Sequence, residues 1–282
     1  MEIIVAKNSG FCGGVLNAIT KTEEFLKYNK AFIKGDIVHN EYVIDKLNQE
    51  GLINIEDFKE VNAGSNIIIR AHGERKEIFE YLKEKNVNII DLTCPKVKKI
   101  HNLIKDNNDK FIIFIGKKNH PEVSAHISYA ENYMVIDDRE DINLLHDKIN
   151  TCDIKSIYII AQTTFNENLF NELVNEIKIT CQNINIEINK TICDVTQTRQ
   201  EEIRKLSKRV DKMIIIGSNK SSNTTELFNI AKENCQTYLV NDVSDLNNLE
   251  FNKNDKIGIG AGASTPRKII DSVKNYLQNK EN

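Results

Sequence analysis

Several things are scarce in this chain. It has no tryptophan, only three prolines and six cysteines among 282 residues. Six thiols at this length are too sparse for the disulfide scaffold of a small secreted domain, so they read as free thiols, metal ligands or catalytic groups. There is no basic excess either: 38 Lys and Arg stand against 41 Asp and Glu, a formal charge of −3. A nucleic-acid binder normally carries the opposite balance, so no polyanion partner is expected. The longest apolar runs, such as 111–115 and 157–160, fall far short of the roughly 20 residues that cross a bilayer, so no membrane span is expected. The opening Met-Glu-Ile-Ile-Val-Ala-Lys lacks the basic and apolar regions of a secretory signal, and a cytoplasmic protein is expected. No Pro/Gly/Ser-rich linker occurs, which puts any domain borders in short crossings; the tail at 279–282 is expected to fray.

What is present is alternation. Short β-branched runs alternate with amphipathic stretches throughout, the pattern of an α/β protein with largely parallel sheets. The pattern predicts strands at 2–6, 31–34, 66–70, 88–91, 110–115, 133–136, 156–161, 186–192, 212–216, 237–240 and 256–259. That is more than one compact sheet usually holds, so several small sheets are expected. Between them, stripes such as Ile203, Leu206 and Val210 have helical spacing and read as core faces.

Open α/β sheets bind ligands beyond the carboxyl ends of their strands, where loops enter helices. Cys12, Cys94 and Cys193 all sit at such turns, about one per third of the chain. A helix N-terminus favours the thiolate, the form that ligates metal, so three such ends could hold one soft metal centre. Taken singly, each reads more readily as a small buried hydrophobe, and the spacing matches no CxxC pattern. Cys152, Cys181 and Cys235 read as core residues. His39, His72 and His120 also follow strands; with Ser221, Ser222, Asn223 and Ser264 they form an inventory of donors for an anion, with diphosphate the natural ligand. His101, His126 and His146 fall in helical or polar stretches outside it. Glu122, two residues past His120, reads either as a proton donor or as a carboxylate favoured by a helix N-terminus. The stretch 258–264 is Gly-rich but lacks the GxGxxG spacing of a dinucleotide loop.

One ordered set carries a resemblance: Gly10-Phe11-Cys12-x-Gly14-Val15, His39-Asn40, Arg70-Ala71-His72-Gly73, Asp91-x-Thr93-Cys94-Pro95, His120-Pro121-Glu122-Val123, Gln162-Thr163-Thr164, Ile192-Cys193-x-x-Thr196-x-x-Arg199-Gln200, Gly217-Ser218-x-x-Ser221-Ser222-Asn223 and Ala261-Gly262-Ala263-Ser264-x-Pro266. In this set the chain resembles the 4-hydroxy-3-methylbut-2-enyl diphosphate reductase family over almost its whole length. The resemblance implies three small α/β domains in a cloverleaf around a central iron–sulfur cluster. They would span 14–94, 95–192 and 193–282, with the strand at 1–13 packing on the third. It implies a [4Fe–4S] cluster held by Cys12, Cys94 and Cys193, with one iron open. The implied reaction is the two-electron reductive dehydroxylation of an allylic alcohol diphosphate to isopentenyl and dimethylallyl diphosphates. Glu122 would supply protons with Thr163 beside the substrate hydroxyl. His39, His72, His120, Ser221, Ser222, Asn223 and Ser264 would bind the diphosphate, and ferredoxin or flavodoxin would deliver electrons. The chain departs from the family pattern at Asn17, where a basic residue is common, and at Ala125, where Gly is usual. Two competing readings are a cysteine- or zinc-dependent hydrolase built on Cys94, His120 and Glu122, and a non-catalytic iron–sulfur sensor.

Overall fold

The computed structural model describes residues 1–152 and 154–280; Glu281 and Asn282, the end of the tail expected to fray, lie outside them. Twelve strands occur among the described residues. They are β1 Glu2–Val5, β2 Ala31–Lys34, β3 Leu52–Ile55, β4 Asn66–Ile69, β5 Asn88–Asp91, β6 Phe111–Ile115, β7 Tyr133–Ile136, β8 Ser156–Ala161, β9 Asn185–Ile188, β10 Lys212–Ile216, β11 Gln236–Val240 and β12 Lys256–Ala261. They form three four-stranded sheets, β3-β2-β4-β5, β7-β6-β8-β9 and β11-β10-β12-β1, in which the pairs are parallel. Each order repeats one scheme: second, first, third, fourth. In the last sheet the fourth place is taken by β1, the N-terminal strand, which runs from Glu2 opposite Lys256 to Val5 opposite Ile259.

Two elements differ from the sequence expectation. Strand β3 was not foreseen, because Leu-Ile-Asn-Ile is a short run between Gly51 and an acidic turn; it is an edge strand whose middle residues are exposed. Strand β9 ends at Ile188 rather than 192, because a side chain replaces the ladder: Thr191 Oγ1 accepts the Ala161 N–H at 2.8 Å and donates to the Ala161 carbonyl at 2.5 Å.

The chain is organised in two compact units. The first comprises Met1–Glu23, Asp36–Glu50 and Asp194–Asn282 and holds the β11-β10-β12-β1 sheet. One face of that sheet buries Ile214, Ile216, Ile257 and Ile259 against Ile270, Val273 and Leu277 of the helix Arg267–Asn279. The other face packs Met213 and Ile215 on Ile203 and Leu206 of the helix Asp194–Ser207. The Gly-rich stretch belongs to β12 and its end, and its glycines set how closely that helix approaches. A Cβ on Gly260 would lie 2.5 Å from Ile203 Cδ1 and 2.9 Å from Ile215 Cδ1. Overpacking of this kind costs about 1–3 kcal/mol, so Gly260→Ala is expected to lower the urea midpoint by a corresponding amount. An unchanged midpoint would mean that the helix can back away freely.

The second unit comprises Glu24–Gly35 and Gly51–Cys193 and holds the other two sheets. Strand β6 is buried along its whole length. Ile113 and Ile115 face Leu173 and Ile177 of the helix Glu167–Thr180. Ile112 and Phe114 face Ile100 and Ile104 of the helix Pro95–Lys105. In the neighbouring sheet, Ile67 and Ile69 of β4 pack on Leu82 and Phe58. Of the cysteines read as core residues, Cys181 is buried and Cys235 half-buried. Cys152 is exposed, a correction to that reading: it ends the helix Glu140–Thr151 where the chain leaves the core. Among the described residues no helix is long and apolar enough to cross a membrane.

Candidate functional site

The repeated strand order gives three cysteines one local design. Each fourth strand leads to a cysteine followed at once by a helix: β5 to Cys94 and Pro95–Lys105, β9 to Cys193 and Asp194–Ser207, β1 to Cys12 and Gly13–Leu26. In each case the cysteine N–H donates to the carbonyl of the second residue past the third strand. These bonds are Cys94 to Ala71 at 3.0 Å, Cys193 to Thr163 at 2.9 Å and Cys12 to Ala263 at 3.2 Å. Each thiol therefore sits at a helix start, beside the first backbone N–H groups of the helix; the Val15 N–H points at Cys12 Sγ at 3.5 Å. All three are partly exposed. Burial, by contrast, pushes the Cys181 thiol up to about 11. Among the described residues, no three His, Cys, Asp or Glu side chains stand as ligands of a single metal ion.

Polar side chains fix the turns that carry these thiols. Asp91 Oδ1 accepts from Thr93 N–H at 3.0 Å and from its hydroxyl at 2.5 Å, while Lys98 closes on Oδ2 at 2.6 Å, shaping the approach to Cys94. Arg199 is buried and donates from Nη2 to the Gly10 carbonyl at 2.5 Å. One turn on, Glu202 accepts the N–H groups of Lys7 at 2.5 Å and Asn8 at 3.0 Å, so the helix after Cys193 holds the loop before Cys12. Glu202 carries no motif signal; its clue is that it stands three residues after Arg199 on one helix.

In the second unit the structure brings Glu122, Thr163, His72 and His120 together. Pro121 starts the helix Pro121–Ile127, and His120 caps it by accepting the Glu122 N–H on Nδ1 at 3.1 Å, so a neutral His120 carries its proton on Nε2. The rings of His72 and His120 meet edge to face at 5.6 Å. Glu122 is 2% exposed. Its Oε1 accepts the Thr163 N–H at 2.7 Å and its Oε2 accepts the Thr163 hydroxyl at 2.6 Å. The loop bearing Thr163 is held in turn by Gln162, whose Oε1 accepts from the Lys117 N–H and whose Nε2 donates to Thr164 Oγ1. Gly116 permits the approach, since a Cβ there would lie 2.9 Å from the Gln162 Cβ.

Burial pushes the Glu122 carboxyl up, but His126, the charge of His120 and the Thr163 hydroxyl together outweigh it and hold the group at about 2. His126, left outside the site by the sequence reading, is wholly buried with Nε2 3.4 Å from Glu122 Oε1. The signal that could have found it is the i, i+4 spacing on a helix. His101 lies beside it at 4.8 Å between rings. Burial first, then the charges of His126 and Lys105, hold His101 down to about 3 against an ordinary 6.5. Between those two values the unfolded chain binds a proton that the folded chain refuses, so stability falls as the pH is lowered through that window. His101→Leu is expected to flatten the dependence of the urea midpoint on pH between about 6.5 and 3; an unaltered slope would count against a neutral buried ring.

The first unit gathers a second polar group. Ser221 caps the helix Ser222–Lys232 by accepting the Thr224 N–H. Asn223 is buried, and its Oδ1 accepts the Ala263 N–H at 3.0 Å. Next to Ala263, Ser264 donates its hydroxyl to the His39 carbonyl at 3.3 Å, and His39 Nδ1 lies 3.4 Å from Asp36. His39, Ser221, Ser222, Asn223 and Ser264 thus lie in one unit with Cys12, and His72, His120, Glu122 and Thr163 in the other with Cys94 and Cys193.

A family model described as LytB protein matches residues 3–278. The chain belongs to the LytB family. Its LytB relatives include the 4-hydroxy-3-methylbut-2-enyl diphosphate reductase of Aquifex aeolicus (strain VF5), 38% identical, with 99% of this chain and 96% of the relative covered. The enzyme of the same name from Clostridioides difficile (strain 630) is 36% identical over 99% of this chain and 100% of its own length. Among solved structures, the E-1-hydroxy-2-methyl-but-2-enyl-4-diphosphate reductase from Plasmodium falciparum is similar with a TM-score of 0.88 at 32% identity, covering 100% of this chain and 88% of that one. The similarity to that structure covers all three parallel sheets of the fold.

Proposed function

We infer that this chain is an oxidoreductase that reduces (E)-4-hydroxy-3-methylbut-2-enyl diphosphate to isopentenyl and dimethylallyl diphosphates. The observation that carries this reading is the full-length match to relatives named for that reaction, at 36–38% identity. Each turnover consumes two electrons and two protons and releases water.

LytB enzymes are iron–sulfur proteins, and the donors of this chain fit such a group. Three thiols occupy equivalent helix starts, and each ligand of a multi-iron cluster binds a different iron, so the three need not reach a single ion. We assign Cys12, Cys94 and Cys193 as ligands of a [4Fe–4S] cluster. Bound there, the cluster supplies electrons and, at an iron without a protein ligand, a Lewis acid for the substrate hydroxyl.

The chain's own side chains orient the substrate and manage protons. His39, His72, His120, Ser221, Ser222, Asn223 and Ser264 are the proposed diphosphate donors; a grip of this kind aims the allylic hydroxyl and converts binding energy into orientation. Support comes from His120, whose Nδ1 accepts a backbone N–H, so that in the neutral ring Nε2 carries the hydrogen. Hydroxide is a poor leaving group and needs a proton as it departs. Glu122 is the proposed source and Thr163 the relay. In the resting arrangement the Thr163 hydroxyl donates to Glu122; once the carboxyl is protonated, this bond reverses and the hydroxyl proton turns toward substrate. A small one-electron carrier, ferredoxin or flavodoxin, is the proposed donor.

The test is anaerobic: iron–sulfur reconstitution, then turnover with a reduced dye and the allylic diphosphate. Formation of both isopentenyl and dimethylallyl diphosphates is expected. A colourless protein that retains stoichiometric zinc after the same treatment would favour the hydrolase instead, and a coloured protein without turnover would favour the sensor.

A further inference from the structure

We propose that His126 is the proton-holding partner of Glu122: the two side chains share one proton across a buried contact, and His126 recharges the carboxyl after each turnover. This rests on the reading of Glu122 as the proton source.

His126 stands one turn after Glu122 on the helix Pro121–Ile127, wholly buried, with Nε2 3.4 Å from Glu122 Oε1. Neither of its ring nitrogens has a hydrogen-bond partner. A buried polar atom left without one costs about 1–3 kcal/mol, so a residue serving only to fill this space against Phe114 would be apolar. The imidazole gains its compensation only through the carboxylate.

The charge balance leads to the same assignment. Glu122 accepts two hydrogen bonds from Thr163, which favour its ionised form, and a buried carboxylate requires a countercharge. The groups facing the pair are few. His120, at the start of the helix, spends Nδ1 as an acceptor. From the helix Pro95–Lys105, His101 approaches at 4.8 Å but burial disfavours its charged form. Tyr129 stacks on His101 at 4.3 Å, and Lys105 is engaged over the Tyr129 ring at 4.7 Å. Asp91, held by Lys98, is acidic and cannot neutralise a carboxylate. From β6 the Phe114 ring faces His126 at 5.1 Å. Among the described residues, His126 is the basic side chain 3.4 Å from the Glu122 carboxyl, which places the shared proton between Nε2 and Oε1.

The two carboxyl oxygens face different partners. Oε1 faces His126, and Oε2 faces the Thr163 hydroxyl. Imidazolium and carboxylate become imidazole and carboxylic acid. A half-turn of the carboxyl brings the protonated oxygen to Thr163, and the acid gives its proton to Thr163 Oγ1 as the Thr163 hydroxyl proton passes to the departing hydroxide, which leaves as water. The allylic C–O bond breaks with the two electrons of the proposed reaction, delivered by the one-electron carrier, and the second proton, drawn from solvent, ends on carbon. His126 regains its proton from solvent before the next turnover. His126 touches neither substrate nor cofactor in this scheme; it is a positioning residue acting through Glu122.

The experiment compares His126→Phe, which keeps ring packing, His126→Gln, which keeps a hydrogen-bond donor but no transferable proton, and Glu122→Gln. In both His126 variants kcat is expected to fall at least about tenfold at neutral pH with KM within about twofold, and to recover as the pH is lowered and solvent protonates Glu122 directly. A second readout is independent of turnover. Infrared spectra of protein carrying labelled glutamate are expected to show no protonated carboxyl for Glu122 at neutral pH in the parent protein. That band is expected to appear in His126→Phe as the pH is lowered through the range in which its kcat recovers, and to stay absent in the double variant with Glu122→Gln. Should both His126 variants keep the parent kcat, pH profile and spectrum while Glu122→Gln is inactive, His126 is packing alone and this proposal falls by itself. Should Glu122→Gln turn over normally, the assignment of Glu122 falls first and takes this one with it.

Discussion

Cys94→Ser is expected to yield a folded protein that takes up no stable cluster: visible iron–sulfur absorption and turnover are lost together, while the thermal midpoint and circular dichroism stay near those of the parent. The reason is local. Cys94 is the N-cap of the helix Pro95–Lys105 without a side-chain capping hydrogen bond, and its N–H is already paired with the Ala71 carbonyl. Serine fits that position and caps helices well, so the fold loses nothing. The soft thiolate donor disappears, however, and iron–sulfur chemistry depends on it. The same result is expected for Cys12→Ser and Cys193→Ser, because all three share one design. Cys152→Ser, Cys235→Ser and Cys181→Ala are the controls; each is expected to keep the absorption. Retention of the cluster by any of the first three variants would remove that cysteine from the ligand set.

Glu122→Gln is expected to lower kcat by about 10²–10⁴-fold, the usual range for loss of a general acid, with little change in KM. Glutamine can still accept the Thr163 N–H through its carbonyl oxygen, so the loop keeps its place. Its amide cannot give up a proton, and it presents a donor to a hydroxyl that now donates to Oε2. The variant also changes acid stability. The folded carboxyl titrates at about 2 against an ordinary 4.5. Its contribution to stability is therefore present above about pH 4.5 and lost as the pH falls toward about 2, and Glu122→Gln is expected to remove that part of the acid limb. Kinetics at saturating substrate and denaturation across this window measure the two effects separately. Turnover close to the parent rate would take Glu122 out of the proton path.

Much of this was legible in the residue order. The β-branched runs marked eleven of the strands, because a parallel strand buried on both faces must be apolar along its length, as Phe111 to Ile115 is. Strand β3 escaped because an edge strand needs less apolar surface, and the end of β9 because a threonine hydroxyl took over from the backbone. The Gly-rich stretch could be separated from a nucleotide loop by its spacing. Its actual part, admitting Ile203 and Leu206 close to β12, depends on atoms more than fifty residues away.

The sequence by itself determined the composition class, the parallel α/β pattern and the identity of the thiols, imidazoles and carboxylate at the strand ends, because these follow from periodicity and from which residue stands beside which. Only the tertiary structure decided which of those groups are equivalent and which are coupled. That β1 completes the last sheet, and so gives Cys12 the same backbone bond as Cys94 and Cys193, is a pairing between opposite ends of the chain. That Glu122 meets Thr163 and that His126 is buried against it are matters of packing and charge balance in a closed interior. There an unpaired group is costly, so each polar atom's partner depends on what the fold brings beside it.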